Sequence, residues 1–476
     1  MLMNYLGTVK TFLYWPLFHW FGTGVWAIRV PMLLAGVASI WLFYFLLRRV
    51  AGNRAALVGS GLLATDACYL LSSCFDWGPV ALQHLLLVAG LLAVVRFWQE
   101  RSERMLALGF FLFGLALWDK ALALWSLSGF GVAALFTMPR QMWEAFTFRR
   151  SILAILAFAL GALPLLIYNF DSSLGTFQGT VAYDSSKLSK KTFILANTLS
   201  GSILFGWMTA EDRDTPQPHL PHNWLESASA KLASMAGNPR ESLSYYLFWV
   251  GVLLAPLARG ADLRAICFAA IAMAITWCQM LYTAGAGAAV HHTILLWPLP
   301  QMLIAVSLAA ASRRLGRAAV PALAAVAVVA IGSGVVLINQ YYFQMVRNGG
   351  GQNWTDSIYR LSAYMKRVRA PAVWCVDWGI LDSLRLLNRG RLPLGSLNLS
   401  SPEAITQEQR ELAVIISNPE NVFVAHTSGL EFVPGANRRL LEFAGNAGYR
   451  REMLSVISDS YARPSLEVYR LVKQPI

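Results

Sequence analysis

Charge is scarce in this sequence. Asp, Glu, Lys and Arg make up only 14% of its 476 residues, whereas 56% are hydrophobic and the mean hydropathy is +0.48. Soluble domains average about 25% charged residues, so the composition excludes an ordinary water-exposed globular fold. Acidic residues are fewer than basic ones, 26 against 39. The net charge of +13 does not point to nucleic acid: no RNA- or DNA-binding motif is present, and the arginines sit in short loops between apolar runs, where they orient a membrane protein. Cysteine is also sparse. Cys68, Cys74, Cys267, Cys278 and Cys375 show no metal-ligand spacing, and four lie in or beside apolar runs, so they are expected to be buried and inert. The start, "MLMNYLGTVKTFLYWPLFHWFG", lacks the basic segment and small-residue cleavage site of a signal peptide. It is aromatic and amphipathic, the pattern of an interfacial or re-entrant helix. No repeat or low-complexity segment interrupts the chain.

Long apolar runs take the place of what is missing. Runs of about 20 apolar residues, enough to cross a bilayer, predict a mostly α protein: a polytopic helical membrane bundle with about ten spans. They lie near 25–47, 55–74, 80–98, 105–118, 121–137, 151–168, 243–258, 264–283, 291–311 and 317–338. One alternate set of loops carries the arginines, among them Arg48, Arg49, Arg101, Arg149, Arg150 and Arg313; the short loops of the other set hold only Lys120. The positive-inside rule puts the arginine set in the cytoplasm. The same parity puts the N-terminus, Asp76, Lys120, the long loop 169–242, His291 and everything after about 339 outside. The membrane domain is therefore expected over 1–342, with a juxtamembrane helix at 1–24, and a small extracytoplasmic α/β domain over 343–476. The latter is read from "PAVWCVDW" (371–378), "NVFVAHT" (421–427) and a closing hairpin of "EMLSVIS" with "SLEVYRLV". "NWT" (353–355) matches a glycosylation acceptor, too short a pattern to carry weight.

Several residues are costly where they stand. Asp76, in "SSCFDWGPVALQHLLL", sits beside a Gly-Pro break at the outer end of a helical pair. An ionisable side chain at a membrane boundary must be paired, wet or functional. A helix-hairpin cap is the simpler alternative. Asp66, deeper in the same span, would face a polar cavity or pair with an arginine. Lys10 and Lys120 are lone cations near the outer surface, suited to a phosphate or to snorkelling toward headgroups; Asp119 could pair locally with Lys120. His291 and His292 open a span, but adjacent helical side chains point about 100° apart, so the two alone are poor metal ligands. Most tryptophans near the span ends should be belt residues.

Three blocks carry a resemblance. "YLGTVKTFLYWPLFHWFGTGVWAIRVPMLLAG" (5–36), "LLATDACYLLSSCFDWGPVAL" (62–82) and "GLALWDKALAL" (114–124) resemble the GT-C glycosyltransferases, in the branch similar to protein O-mannosyltransferases and aminoarabinose transferases. The resemblance implies a polyprenyl-phosphate-linked sugar donor, a glycan, lipid or protein acceptor, and transfer on the periplasmic face of a bacterial inner membrane. It implies Asp76 as the catalytic carboxylate, with Lys10 and Lys120 as phosphate contacts; Tyr5, His291 and His292 are further candidate substrate contacts. It fixes no cofactor and leaves a divalent metal open. In that family a first span and a first-loop catalytic acid normally precede the point where this sequence starts, so an upstream start is expected. A transporter or flippase of a lipid-linked substrate is the alternative, and would favour discontinuous helices and internal repeats; a third reading is a scaffold displaying its outer domain.

Overall fold

A computed structural model describes residues 6–75, 77–145, 147–176, 178, 182–351, 354–401, 403, 406 and 408–474. Tyr5, Asp76 and Asn353 of the "NWT" motif lie outside the described residues. The chain forms two compact units. One comprises 1–203 and 236–339; the other comprises 204–235 and 340–476.

The first unit is helical. Its elements are α1 (Val9–Phe21), α2 (Val25–Ala51), α3 (Asn53–Ala64), α4 (Ala67–Cys74), α5 (Val80–Glu100), α6 (Glu103–Asp119) and α7 (Ala123–Thr137). Then come α8 (Pro139–Ala145), α9 (Phe148–Asp171) and α10 (Leu188–Ser200); α11 (Trp224–Met235) falls in the second unit. After it come α12 (Ser244–Leu254), α13 (Gly260–Tyr282), the short α14 (Val290–Thr293), α15 (Leu299–Ser312) and α16 (Ala319–Asn348). Each expected span falls on a helix, but not every one as a straight crossing. Among the described residues five helical segments are long and apolar enough to cross a membrane, six with the bent α3–α4 pair. The expected span 55–74 breaks at Thr65–Asp66, where α3 and α4 meet at 58°. Thr65 turns its hydroxyl back onto the Gly61 carbonyl (2.9 Å), and the Asp66 carboxylate accepts the Tyr69 amide (2.9 Å) as the cap of α4. The expected span 291–311 opens as the α14 turn before α15 begins.

Close backbone approach holds the bundle where lipid offers no hydrophobic drive between helices. Helices α6 and α9 touch through Gly114 and Gly161. A Cβ on Gly114 would fall 2.2 Å from the Phe158 carbonyl oxygen, and one on Gly161 2.2 Å from that of Phe111. The arginine-bearing helix ends gather at one end of the unit: Arg49 pairs with Glu100 (2.8 Å), Arg149 with Glu103 (3.3 Å), and Arg313 with Asp262. The cysteines correct the expectation in part. All five are free; Cys68 and Cys375 are buried, Cys74 and Cys267 are half-buried, and Cys278 is exposed on α13.

The second unit is an α/β domain. To α11 it adds α17 (Ser357–Met365), β1 (Val373–Cys375), α18 (Ile380–Leu387), β2 (Leu394–Ser396), α19 (Gln409–Ser417), β3 (Val422–His426), α20 (Ala436–Asn446), β4 (Tyr449–Ser458) and β5 (Pro464–Lys473). The strand order is β2-β1-β3-β5-β4, parallel over the first three and antiparallel over the rest. The expected closing hairpin is β4–β5. β2 was not anticipated; three residues carry too little periodicity to announce a strand. Val422 and Val424 of β3 face one apolar cluster, with Leu361 and Leu384; Phe423 and Ala425 face the other, with Ile416 and Leu440. A strand buried on both faces reads as a continuous apolar run, which "NVFVAHT" is. The segment 204–235 docks on the last turns of α16 within this unit. The His219 amide donates to the Arg347 carbonyl (2.8 Å), the Gly351 amide to that of Met208 (2.9 Å), and Phe205 stacks on Tyr341 at 3.9 Å.

One buried carboxylate ties together the loops that follow β1 and β3. Asp377 accepts His426 Nδ1 (2.6 Å) and the amides of Phe432 (2.7 Å), Val433 (3.0 Å) and Trp378 (2.8 Å). Burial alone would push this carboxyl up, but the four hydrogen bonds outweigh it and hold it below the usual carboxylate range.

Two outcomes follow from this packing. Gly161→Leu should cost at least the ~1–3 kcal/mol of an overpacked core, read as a lower unfolding temperature and folded yield in detergent. Asp377 is lowered on folding, so its contribution is complete above the ordinary carboxyl value of about 3.9 and disappears as pH falls through the lower folded value. Asp377→Asn should therefore speed hydrogen exchange in β1 and β3 at neutral pH, and the gap from the parent should close on acidification below about pH 4.

Candidate functional site

The end of the helical unit away from the arginine pairs holds the expected lysines and histidines. Its frame is a backbone contact. Leu6 pairs with Lys120 as an isolated antiparallel bridge, and the Gly7 amide donates to the Asp119 carbonyl (3.1 Å). A Cβ on Gly7 would lie 1.5 Å from the Trp118 carbonyl oxygen, so only glycine lets the two segments approach this closely. From there the chain enters α1, whose Tyr14 hydroxyl donates to the Ile28 carbonyl (2.5 Å) of α2. Lys10, on the first turn of α1, donates from Nζ to the Gly78 carbonyl (3.0 Å) and lies 5.4 Å from the centre of the Tyr14 ring. It is thereby held against the loop that contains position 76.

Lys120 sits in the turn between α6 and α7 and is 2% exposed. Its Nζ donates to the His291 carbonyl at 3.4 Å, and its own carbonyl accepts from Gln83 Nε2 at 3.3 Å. Burial pulls this ammonium down to about 8, opposed by the field of Asp119. An ammonium has three N–H donors, and that single long bond is the one hydrogen bond Lys120 Nζ makes among the described residues. A buried cation with spare donors is a ready partner for an anion.

The α14 turn closes the cluster. The His291 ring lies 5.2 Å from Trp77 and 4.2 Å from the His292 ring. In this short turn the two tilted imidazoles pack against each other. No third His, Cys, Asp or Glu side chain joins them, or forms any such group of three, among the described residues. The turn is tethered by side chains that sequence reasoning passed over. His84 donates from Nε2 to the Ile294 carbonyl (2.7 Å), and Thr198 and Thr293 share a hydroxyl bond (2.9 Å). A histidine within an apolar run was the available signal for His84.

Lys191 had no such signal, being one of three lysines in "KLSKK". It is 0% exposed and spends its Nζ on three carbonyls, those of Met280 (3.1 Å), Leu281 (2.8 Å) and Thr283 (2.8 Å). Met280 and Leu281 lie in the last turn of α13 and Thr283 caps it, where a cation meets the negative end of the helix dipole. Lys191 is thus a structural cap with its donors used, in contrast to Lys120. Asp66, 5% exposed, is likewise spent. Besides capping α4 it accepts Trp297 Nε1 (2.8 Å) and Gln301 Nε2 (3.0 Å). The expectation of an arginine partner or a polar cavity is replaced by a tether between the helix break and the segment entering α15.

Comparison with known proteins bears on the fold that carries these residues. Residues 8–168 match the family model described as dolichyl-phosphate-mannose-protein mannosyltransferase. No curated protein matches the chain. Among solved structures, the fold is similar to that of ArnT from Cupriavidus metallidurans bound to undecaprenyl phosphate, with a TM-score of 0.56 at 14% identity over 98% of this chain and 88% of that one. The apo state of the same protein gives 0.53 at 14% identity, over 96% and 86%. The oligosaccharyltransferase of Archaeoglobus fulgidus, in complex with Zn and sulfate, gives 0.51 at 13% identity, over 89% and 60%. The fold is thus that of a multi-pass helical membrane bundle like ArnT, and the family match covers its first part, residues 8–168. Within it, the portion that matches the mannosyltransferase model is the one that carries Lys10, position 76 and Lys120.

The frame of the site can be tested without an activity assay. Antiparallel partners lie about 4.5–5.5 Å apart, within disulfide range, so a chain carrying Leu6→Cys and Lys120→Cys should cross-link readily on oxidation. Adding Gly7→Ala should slow that cross-link by about tenfold or more; an unchanged rate would show that the close approach at Gly7 does not hold the segment.

Proposed function

We propose that the protein transfers a sugar from a polyprenyl-phosphate-linked donor to an acceptor hydroxyl on the periplasmic face of a bacterial inner membrane. The observation that carries this reading is Lys120: a buried ammonium with unused donors, beside the segment that holds Lys10 against the loop containing position 76. In this reading the lipid-linked phosphate occupies the spare donors of Lys120, with Lys10 as the second cation. Asp76 takes the proton from the acceptor hydroxyl as that oxygen attacks the sugar C1 with inversion. The C1–O bond to phosphate breaks, and the lysines stabilise the charge gathering on the departing lipid phosphate. Tyr5, His291 and His292 would contact sugar or acceptor. The positive-inside count supports the orientation, and with it a periplasmic C-terminal domain.

The break between α3 and α4 is a feature that a lipid transporter would also use. Here it is closed by the three bonds to Asp66 rather than left open to a ligand, which favours the transferase.

The test uses the full chain in nanodiscs. Undecaprenyl phosphate should stabilise the parent against heat, and Lys120→Met should reduce its affinity by about 10²-fold, in the range of losing one buried charge-assisted contact. Affinity in the parent should also fall as pH rises through about 8, because the ammonium is charged only below that value. Asp76→Asn should leave lipid binding intact and abolish transfer of label from a polyprenyl-phosphate sugar. Lipid flipping with no transfer in the parent would decide for the transporter.

A further inference from the structure

The α/β domain carries a second polar constellation far in sequence from the lysine cluster. In a sheet of order β2-β1-β3, the chain leaves β1 to one side and returns to the other, so the strand order reverses between β1 and β3. Crevices outside the carboxyl ends of parallel strands at such a point are where ligands bind in open α/β sheets. Both strands end there in chemistry. His426 is the last residue of β3, and Asp377 and Trp378 directly follow the end of β1.

Two exposed aromatic rings and a partly exposed imidazole surround one carboxylate. Trp378 is 51% exposed and Phe432 52%, large values for aromatic rings in a domain outside the helical bundle. Their centroids are 4.3 Å apart at 32°, so the pair forms one apolar plate. His426 is partly exposed, and with Nδ1 fixed on Asp377 its Nε2 makes no hydrogen bond among the described residues. Asp377 receives the amides of both aromatic residues as well as the imidazole. A single buried anion therefore fixes plate and imidazole relative to each other, which removes much of the ordering cost of binding.

The chemistry selects the ligand class. The acids beside the plate, Asp377 and Glu431, disfavour an anion, and Glu431 is already committed to the amides of Gly435 and Asn437. Arg439 is spent on the carbonyls of Leu399 and Pro434. An apolar plate that meets C–H faces, next to an imidazole nitrogen that meets a hydroxyl, fits a neutral polyhydroxylated ring. We infer that Trp378, Phe432 and His426, organised by Asp377, form a carbohydrate-binding site on the α/β domain, distinct from the lysine cluster. The inference does not require the transferase reading, because it is tested by binding.

Saturation-transfer NMR on the full chain in nanodiscs would use maltopentaose, chitopentaose and a mannopentaose as probes. At least one should show transfer to its ring protons. Trp378→Ala and Phe432→Ala, both at exposed positions, should each weaken it by about tenfold or more with the circular dichroism spectrum unchanged. His426→Gln, which retains a polar group, should weaken it less than His426→Ala. No transfer to any of the three oligosaccharides would overturn the inference, and so would transfer undiminished in Trp378→Ala and Phe432→Ala.

Discussion

Inside a bilayer no water is available to satisfy a broken helix, so each interruption must be answered by the protein itself. The helical unit is organised around that constraint. At the α3–α4 break the Asp66 carboxylate accepts a backbone amide, an indole and a side-chain amide. At the end of α13 the Lys191 ammonium takes three carbonyls. His84 takes the carbonyl of Ile294 just after the α14 turn. Each of these side chains is buried, and each joins elements distant in the sequence. The same polar groups that satisfy the backbone therefore also position the turn that carries His291 and His292.

Against this background Lys120 stands out by contrast. Lys191 and Lys120 are both buried ammonium groups near loops of the same unit. One is saturated; the other holds a single long bond among the described residues. Burying a cation is costly without partners, which is why Lys120 carries the proposed phosphate contact. The glycine at position 7 serves the same end by different means: lacking a side chain, it lets the start of the chain lie against the turn at 118–120 and brings Lys10 to the loop that follows α4. The α/β domain repeats the logic, with Asp377 as the saturated group and His426 Nε2 without a hydrogen bond among the described residues.

Much of the bundle was readable from the chain alone, because apolar length and arginine placement are local properties. Each expected span falls on a helix, and the expected β runs at 371–378 and 421–427 contain β1 and β3. The straight-span reading of 55–74 failed because the break at Asp66 is closed by Trp297 and Gln301, more than two hundred residues away; no window around Asp66 contains them. Asp76 and Tyr5 rest on the family resemblance and on sequence position, since both lie outside the described residues.

By itself, then, the sequence determined the solvent of this protein and the order of its elements: low charge and repeated apolar runs require a membrane, and alternating loop charge gives an expected orientation. It also placed lysines and histidines in loops on one side. Which lysine is spent on the backbone and which keeps unused donors was decided only by tertiary structure. Hydrogen-bond saturation depends on the acceptors that remote segments bring within about 3 Å, and the chain neighbours of Lys120 and Lys191 do not reveal which acceptors those are.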